Sequence, residues 1–108
     1  MTACMIYITT SSPEEARKLA KTLLEEQLAA CANIIDGVAS FYRWNGSIES
    51  DSESLVIAKT IISKRRLVIE RISGLHSYTT PCVVSYDIAD GQPDYLSWIQ
   101  SEVGAITE

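Results

Sequence analysis

The stretch that decides the fold runs from Ala32 to Ile48 and reads Ala-Asn-Ile-Ile-Asp-Gly-Val-Ala-Ser-Phe-Tyr-Arg-Trp-Asn-Gly-Ser-Ile. Its side chains alternate between two faces, a period of two that is typical of a β-strand. One face carries Val38, Ser40, Tyr42 and Trp44, and the other carries Ala39, Phe41 and Arg43. The dipeptide Asn45-Gly46 is the favoured type I′ turn of a hairpin. The chain is therefore predicted to reverse here and to return as a second strand from Ser47 to Ile62.

The length of this hairpin predicts an oligomer. At roughly 3.3 Å per residue the strand from Ala32 to Trp44 is about 40 Å long, whereas a compact domain of this size has a radius of gyration of about 13 Å. The tip should overhang its own core, and an isolated ribbon with exposed aromatic residues is unstable unless another subunit covers it. We expect a homo-oligomer with Phe41, Tyr42 and Trp44 at the interface. The alternative is a bent strand that folds these aromatic side chains back onto the same chain.

The segments before the hairpin form a strand and a helix. Residues 4–10 are rich in β-branched and aromatic types and predict a first strand. Ser12, Pro13 and Glu15 then supply a helix N-cap, a first helical position and a capping box. The first helix is expected over about 13–28.

The segments after the hairpin repeat this order and add a helix. Ser63 can cap a second helix, and Gly74 lies where that helix would end. A fourth strand is expected where Cys82, Val84, Tyr86 and Ile88 alternate. Pro93 opens a last helix, whose apolar face is formed by Leu96, Ile99 and Val103.

This order of elements predicts an α+β fold of the ferredoxin-like βαββαβ plan, with an extended hairpin between the second and third strands and a C-terminal helix. Two helices should cover one face of a four-stranded antiparallel sheet. The 108 residues suffice for one domain spanning 1–108, without a linker or repeat.

Composition excludes several classes of function. Nine Lys and Arg against fourteen Asp and Glu give a net charge of −5, which argues against binding to nucleic acid or to an anionic membrane. No apolar run approaches the roughly 20 residues of a membrane span. The N-terminus lacks the features of a signal peptide, so a cytoplasmic location is expected. Cys4, Cys31 and Cys82 lack the spacing of a disulfide framework and predict free thiols in a reducing compartment.

Catalysis is not expected. The sequence has no Gly-x-Ser-x-Gly, phosphate-binding loop, His-Glu-x-x-His or dinucleotide fingerprint. His76 is the single histidine, which limits both catalytic triads and closed zinc sites. We expect a protein that is not an enzyme.

A set of motifs in fixed order resembles the CutA divalent-cation-tolerance family. The motifs are Ala30-Cys31-Ala32-Asn33-Ile34, then Ser40 to Ile48 with Tyr-x-Trp-x-Gly, then Glu53 and Lys59-Thr60, then Leu75 to Pro81, and finally Gly91 to Ile99. The resemblance covers nearly the whole chain. It implies a trimer similar to the PII signalling proteins, with copper(II) or other divalent metals as ligands.

One loop departs from the family pattern. The family usually has His-Pro-Tyr-Glu-x-Pro-Glu, whereas this chain has Ser77, Thr79 and Cys82 in place of the first proline and the two glutamates. Two carboxylates that would suit a hard cation are missing, and a soft thiol replaces one of them.

The resemblance and the residue chemistry together give two hypotheses. The first is a cytoplasmic homotrimer that binds divalent metal ions through His76, Cys31 and Cys82 and serves metal tolerance. The second is a PII-like signalling or interaction trimer that binds a small ligand or a partner protein in clefts between subunits. Glu53, Lys59 and Tyr78 are the candidate cleft residues. An ion pair that holds subunits in register is the structural alternative for Glu53 and Lys59.

Overall fold

The computed structural model describes residues 3–104 and has the predicted α+β ferredoxin-like order. Its four strands form one antiparallel sheet in the order β2-β3-β1-β4. The single domain predicted over 1–108 stays a prediction, and residues 1–2 and 105–108 lie outside the described part. The elements are β1 (Ala3–Thr10), α1 (Pro13–Glu25), β2 (Cys31–Trp44), β3 (Ser47–Ile61), a 3₁₀ turn (Ile62–Lys64), α2 (Arg65–Leu75), β4 (Val83–Asp87) and α3 (Pro93–Val103).

Helix α1 begins where the sequence predicts and ends three residues early. The Ser12 side chain accepts a hydrogen bond from the Glu15 backbone N–H at 3.1 Å, and the Glu15 carboxylate accepts one from the Ser11 N–H at 2.9 Å. Beyond Glu25 the chain turns back through Gln27, whose φ is +57°. The Leu28 N–H then bonds to the Leu23 carbonyl at 2.8 Å. Leu28 packs against the core from outside the helix, which is why the helix was expected to extend to residue 28.

Helix α2 and strand β4 differ from their predicted bounds. Ser63 lies in the 3₁₀ turn, and α2 begins at Arg65 after Lys64, which makes no side-chain cap. The prediction of a Ser63 cap is therefore wrong, and the helix continues through Gly74 to Leu75. Strand β4 lacks Cys82 and Ile88. Each of these residues still has one backbone hydrogen bond to β1, at 3.3 and 3.1 Å.

The sheet has one covered face and one largely open face. Cys4, Ile6 and Ile8 point from β1 into the core formed with α1 and α2. Helix α3 packs on the opposite face, where its apolar residues contact Ala3 and Ile61 at one end of the sheet. The remainder of this opposite surface is the open face. In the strand register the open face carries Met5, Tyr7, Cys31, Asn33, Ile35, Leu55, Ile57, Lys59, Val84 and Tyr86.

The hairpin projects beyond the sheet as a two-stranded ribbon. Strand β1 pairs with β3 only from Ser54 to Ile61. Residues 38–44 and 47–53 pair with each other and with no other described strand, and these two segments are the ribbon. The molecule is 48 Å long but only 25 by 21 Å across. The overhang predicted from strand length is therefore present, with Phe41 74% and Trp44 55% exposed.

A β-bulge at Asp36 and Gly37 marks the point where the ribbon leaves the sheet. Gly37 has a φ of +69°, a conformation that glycine adopts without steric cost. The Asp36 carboxylate accepts hydrogen bonds from both terminal nitrogens of Arg17, at 3.3 and 3.1 Å, and from the Ser54 hydroxyl at 2.8 Å. The bulge is thus fixed to α1 and to β3. Among residues 3–104 no helix combines the length and the apolar character needed to cross a bilayer.

Candidate functional site

His76 lies at the end of α2, and its side chain is completely inaccessible to solvent. Its Nε2 lies 2.7 Å from the Thr9 carbonyl, and its Nδ1 accepts the Tyr78 N–H at 3.0 Å. These partners require the neutral tautomer that carries its proton on Nε2. Both ring nitrogens are occupied, so in this structure His76 has no free lone pair for a metal. A ligand role for His76 would require one of these two bonds to break, and that role stays a prediction.

The loop after α2 is tied to the start of α1 through Glu15. This carboxylate accepts the Ser77 N–H at 2.8 Å and the Ser77 hydroxyl at 3.0 Å, in addition to its bonds from Ser11. Burial is the largest influence and opposes ionisation, but the hydrogen bonds from Ser11 and Ser77 outweigh it and lower the pKa of Glu15 to about 2. A proline at position 77 would have no N–H to donate. The departure at Ser77 therefore adds contacts between these two segments.

Tyr78 and Glu53, two of the candidate cleft residues, contact each other. The Tyr78 hydroxyl donates to Glu53 Oε2 at 2.7 Å, and its ring lies 4.7 Å from that of His76. Burial first, and then this carboxylate, raise the pKa of Tyr78 well above its ordinary value. Lys59 is six residues from Glu53 along β3, which corresponds to about 20 Å. The two residues form no ion pair within one subunit.

Lys59 belongs to a separate group on the open face, which we call the Lys59 cluster. Its Nζ donates to Asn33 Oδ1 at 3.0 Å and lies 5.8 Å from the centre of the Tyr95 ring. Cys31 is directly opposite Lys59 in the register, and its sulfur is 3.3 Å from the Tyr95 hydroxyl. That hydrogen bond, followed by burial, raises the pKa of Tyr95 to about 12. The cluster consists of Cys31, Asn33, Lys59, Tyr95 and Trp98.

The sequence pointed to Cys31 and Lys59 separately but missed the rest of this group. The sequence assigned no site role to Asn33, Tyr95 or Trp98. All three lie in the motifs quoted for the family resemblance, and these motifs are the signal from which the residues could have been found. Their convergence depends on how α3 crosses the sheet, and no local pattern contains that information.

The three predicted metal ligands do not come together within one subunit. Cys31 starts β2 and Cys82 precedes β4, so they lie at opposite edges of the sheet, separated by about 14 Å across three strand spacings and by about four residues, roughly 13 Å, along the strands. His76 is buried against the end of β1. Within residues 3–104, no three His, Cys, Asp or Glu side chains are grouped closely enough to hold a metal ion. Cys31 is partly exposed and Cys82 is exposed, and their role as ligands stays a prediction.

The ribbon exposes aromatic residues on both of its faces. Tyr42 and Trp44 lie on the side of the ribbon that is continuous with the open face of the sheet. The Tyr42 hydroxyl donates a hydrogen bond to Asp51 on this side. This bond, followed by burial, raises the pKa of Tyr42 to about 12. Phe41 and Ile48 lie on the reverse side, and Ile48 is as exposed as Phe41. An interface role for Phe41, Tyr42 and Trp44 stays a prediction.

Comparisons with known proteins agree along almost the whole chain. Residues 4–102 match the family model described as CutA1 divalent ion tolerance protein. The chain is 43% identical over 100 residues to the divalent-cation tolerance protein CutA of Thermus thermophilus, a match that covers 93% of this chain and 97% of the relative. The Thermus thermophilus divalent cation tolerance protein has a solved structure that superposes with a TM-score of 0.91 at 42% identity, covering 94% of this chain and 99% of that one.

Other relatives carry names that place them in different compartments. A solved structure from Archaeoglobus fulgidus, described as a periplasmic divalent cation tolerance protein CutA, superposes with a TM-score of 0.90 at 44% identity over 94% of this chain and 98% of that one. The Arabidopsis thaliana protein CutA, named chloroplastic, is 38% identical over 97 residues, which are 90% of this chain and 53% of that relative.

Proposed function

Because the chain belongs to the CutA1 divalent ion tolerance family, we propose that it is a cytoplasmic homotrimer that binds copper(II) or related divalent metal ions and serves metal tolerance. The observation that carries this proposal is the family match over residues 4–102. Nothing in the fold requires a chemical step, so the protein is proposed as a binding protein.

The ribbon and the open face support a trimer. Monomeric proteins rarely leave large contiguous apolar patches exposed, yet Ile35, Val84 and Tyr86 on the open face are all exposed. The ribbon of one subunit offers Tyr42 and Trp44 on the matching side. A head-to-tail contact between ribbon and open face is heterologous, and such contacts close into a ring when the rotation permits. Three subunits in a ring would cover each open face with a neighbour.

A metal site between subunits is consistent with the position of the two accessible thiols. Cys31 and Cys82 lie at opposite edges of the sheet within one chain. A site that uses both thiols requires the β2 edge of one subunit to lie beside the β4 edge of the next. Cys31 can then approach Cys82 of a neighbouring subunit. Thiolate ligands favour copper and zinc over hard cations such as magnesium.

The cytoplasmic location rests on the thiols. Cys4, Cys31 and Cys82 are all free, and free cysteines are typical of reducing compartments. Because some relatives are named chloroplastic or periplasmic, the cytoplasmic location needs a direct test. Fractionation of the producing cells, with the native protein detected by antibody, would decide it.

Calorimetric titration of the metal-free protein with copper(II) tests the metal proposal, with light scattering in parallel for the mass. Zinc(II) serves as a second titrant because it does not oxidise thiols. We expect saturable binding with a simple ratio per trimer, reduced at least tenfold by Cys31→Ser and by Cys82→Ser.

Two control variants make this result specific. Cys4→Ala removes a fully buried thiol, and His76→Gln removes an imidazole whose nitrogens are already bonded. Both should bind metal like the unmodified protein. Binding that persists in both exposed-cysteine variants would refute the thiol site, and absence of saturable binding would refute metal binding itself.

A further inference from the structure

The open face of the sheet carries one cation and no anion. Lys59 is the single charged residue among the described strand residues that the register places on this face. Its ammonium group donates to the Asn33 amide oxygen and lies over the ring of Tyr95, and neither partner is charged. A neighbouring subunit that covers this face takes the ammonium group out of water, and burial of a charge without a partner costs free energy. The missing anion must therefore come from the neighbour.

The side of the ribbon that is continuous with the open face has the opposite charge. Glu49, Asp51 and Glu53 occupy alternate positions of β3 on this side. Arg43, the single basic residue of the ribbon, lies on the reverse side. Successive carboxylates are about 7 Å apart along the strand, and like charges on one face of a sheet repel each other. A cation facing this row would relieve the repulsion.

Glu49 is the carboxylate of this row that its own subunit leaves unused. Asp51 accepts the hydroxyl of Tyr42, and Glu53 is almost buried and accepts the hydroxyl of Tyr78 at 2.7 Å. Glu49 is exposed and makes no hydrogen bond or ion pair with any residue of the part of the chain that the structure describes. Both of its oxygens are therefore open to a donor from another subunit.

The ribbon is long enough to bring this carboxylate to Lys59. Residues 47–53 extend about 23 Å beyond the sheet, whereas Lys59 lies about 13 Å along β3 from Leu55, where the open face begins. We infer that, in the assembled protein, the ammonium group of Lys59 binds the Glu49 carboxylate on the ribbon of a neighbouring subunit. This inference rests on the proposed homotrimer and names the charged contact that would orient its subunits.

The pair would fix the register of the contact between ribbon and open face. Apolar side chains such as Trp44 can pack in several neighbouring positions, whereas a buried charge tolerates only positions that supply its partner. The sequence offered an ion pair between subunits as an alternative for Glu53 and Lys59. The hydrogen bond to Tyr78 holds Glu53 within its own subunit, so the partner of Lys59 is Glu49 instead.

A double-mutant cycle on the assembled protein tests the inference. Light scattering over a series of protein concentrations, in urea that partly dissociates the unmodified protein and with a metal chelator present, gives the concentration at which half of the protein is dissociated. Lys59→Met and Glu49→Gln should each raise this concentration by about tenfold or more. The double variant should be no weaker than the weaker single variant, because both changes remove the same bond. Independent effects, which multiply to about a hundredfold, would overturn the inference.

Matched controls and a charge reversal make the result specific. Lys18→Met and Glu70→Gln remove exposed charges on α1 and α2, on the side of the sheet that the helices cover, and should leave dissociation unchanged. Glu49→Lys should dissociate the assembly, and adding Lys59→Glu in the same chain should restore it. Glu49 lies on the ribbon outside the core, so this reversal tests the pair even if Lys59→Met fails to fold. An unchanged mass in Glu49→Lys would overturn the inference.

The remaining outcomes separate the pair from the trimer. Coupling of Lys59→Met to Asp51→Asn, and not to Glu49→Gln, would overturn the assignment to Glu49. A trimer whose dissociation is insensitive to both Lys59→Met and Glu49→Gln would overturn the inference and leave the trimer proposal standing. An unmodified protein with the mass of one subunit would refute the trimer and the pair together. Because the chelator excludes metal, these outcomes are independent of the copper titration.

Discussion

Among individual residues, Glu15 connects two segments that are distant in the sequence. It accepts four hydrogen bonds, two from Ser11 next to its own helix and two from Ser77 in the loop after α2. Only 12% of its side chain is exposed. Charge on Glu15 therefore helps to hold the loop that contains His76 and Tyr78.

Replacing Glu15 by glutamine should make stability less dependent on pH. The pKa of Glu15 is about 2 in the folded protein and about 4.3 in an unfolded chain. A lowered pKa contributes stability that is present above the unfolded value and is lost as pH falls through the folded value. We expect Glu15→Gln to cost about 2 kcal/mol at pH 7 and progressively less from about pH 5 towards about pH 2.

Urea unfolding at pH 7 and pH 3, at one fixed protein concentration, measures this difference. Glu14→Gln, at the neighbouring exposed carboxylate, is the control and should have little effect at either pH. Equal destabilisation by Glu15→Gln at both values would show that geometry, and not charge, matters at this position.

His76 shows what the sequence predicts at the scale of a residue. Its position after a helix and within the family motif predicted that His76 has a specific role. The distinction between a metal ligand and a structural histidine depends on Thr9 and Tyr78, which occupy both ring nitrogens. Thr9 is 67 residues away, so its carbonyl could be placed only by the fold. The contact between Ser77 and Glu15 was missed for the same reason.

Among the elements, the bulge in β2 decides which residues face each other across the hairpin. Counting back from the turn at Asn45-Gly46, without a bulge, places Thr60 opposite Cys31. The extra residue at Asp36 and Gly37 places Lys59 there instead. The strands and the turn were predictable from alternation and from Asn-Gly. The Lys59 cluster was not, because a one-residue change of register moves a side chain to the other face.

Two glycine substitutions should have opposite effects on stability. Gly37 has a φ of +69°, so Gly37→Ala should destabilise by about 1 kcal/mol although its new methyl group meets no neighbour. Gly74 lies inside α2 and also has open space around it, so Gly74→Ala should stabilise by about 0.5 kcal/mol. Thermal unfolding at fixed protein concentration compares them. A stable Gly37→Ala variant would mean that the bulge tolerates an alanine in this conformation.

At the scale of the whole molecule, the ribbon is the feature that a single chain cannot account for. Strand length alone predicted that the hairpin would overhang, and the molecule is 48 Å long as a result. Sequence alternation also assigned Tyr42 and Trp44 to one face and Phe41 to the other, as the register confirms. The face that a neighbour covers depends on the assembly, so it could not be predicted from one chain.

A charged side chain on the side of the ribbon that is continuous with the open face should prevent assembly. Trp44→Asp is expected to reduce the mass measured by light scattering from three subunits to one subunit of 11.9 kDa, because an aspartate would be buried without a partner. Leu67→Asp introduces the same charge at another exposed apolar residue, on α2, and should leave the mass unchanged. Phe41→Asp tests the reverse side of the ribbon. An unaltered mass in both ribbon variants would remove the ribbon from the interface.

The bulge at Asp36 and Gly37 sets the register of the whole ribbon. Every side chain from Val38 to Trp44 takes its side from the number of residues that precede it. A substitution in this segment changes one contact, whereas the loss or gain of one residue would exchange Tyr42 and Trp44 for Phe41 and Arg43 along the whole projecting arm. The length of this segment is therefore under a stricter constraint than its composition, and variation that arises by odd-numbered insertion would be the most damaging kind.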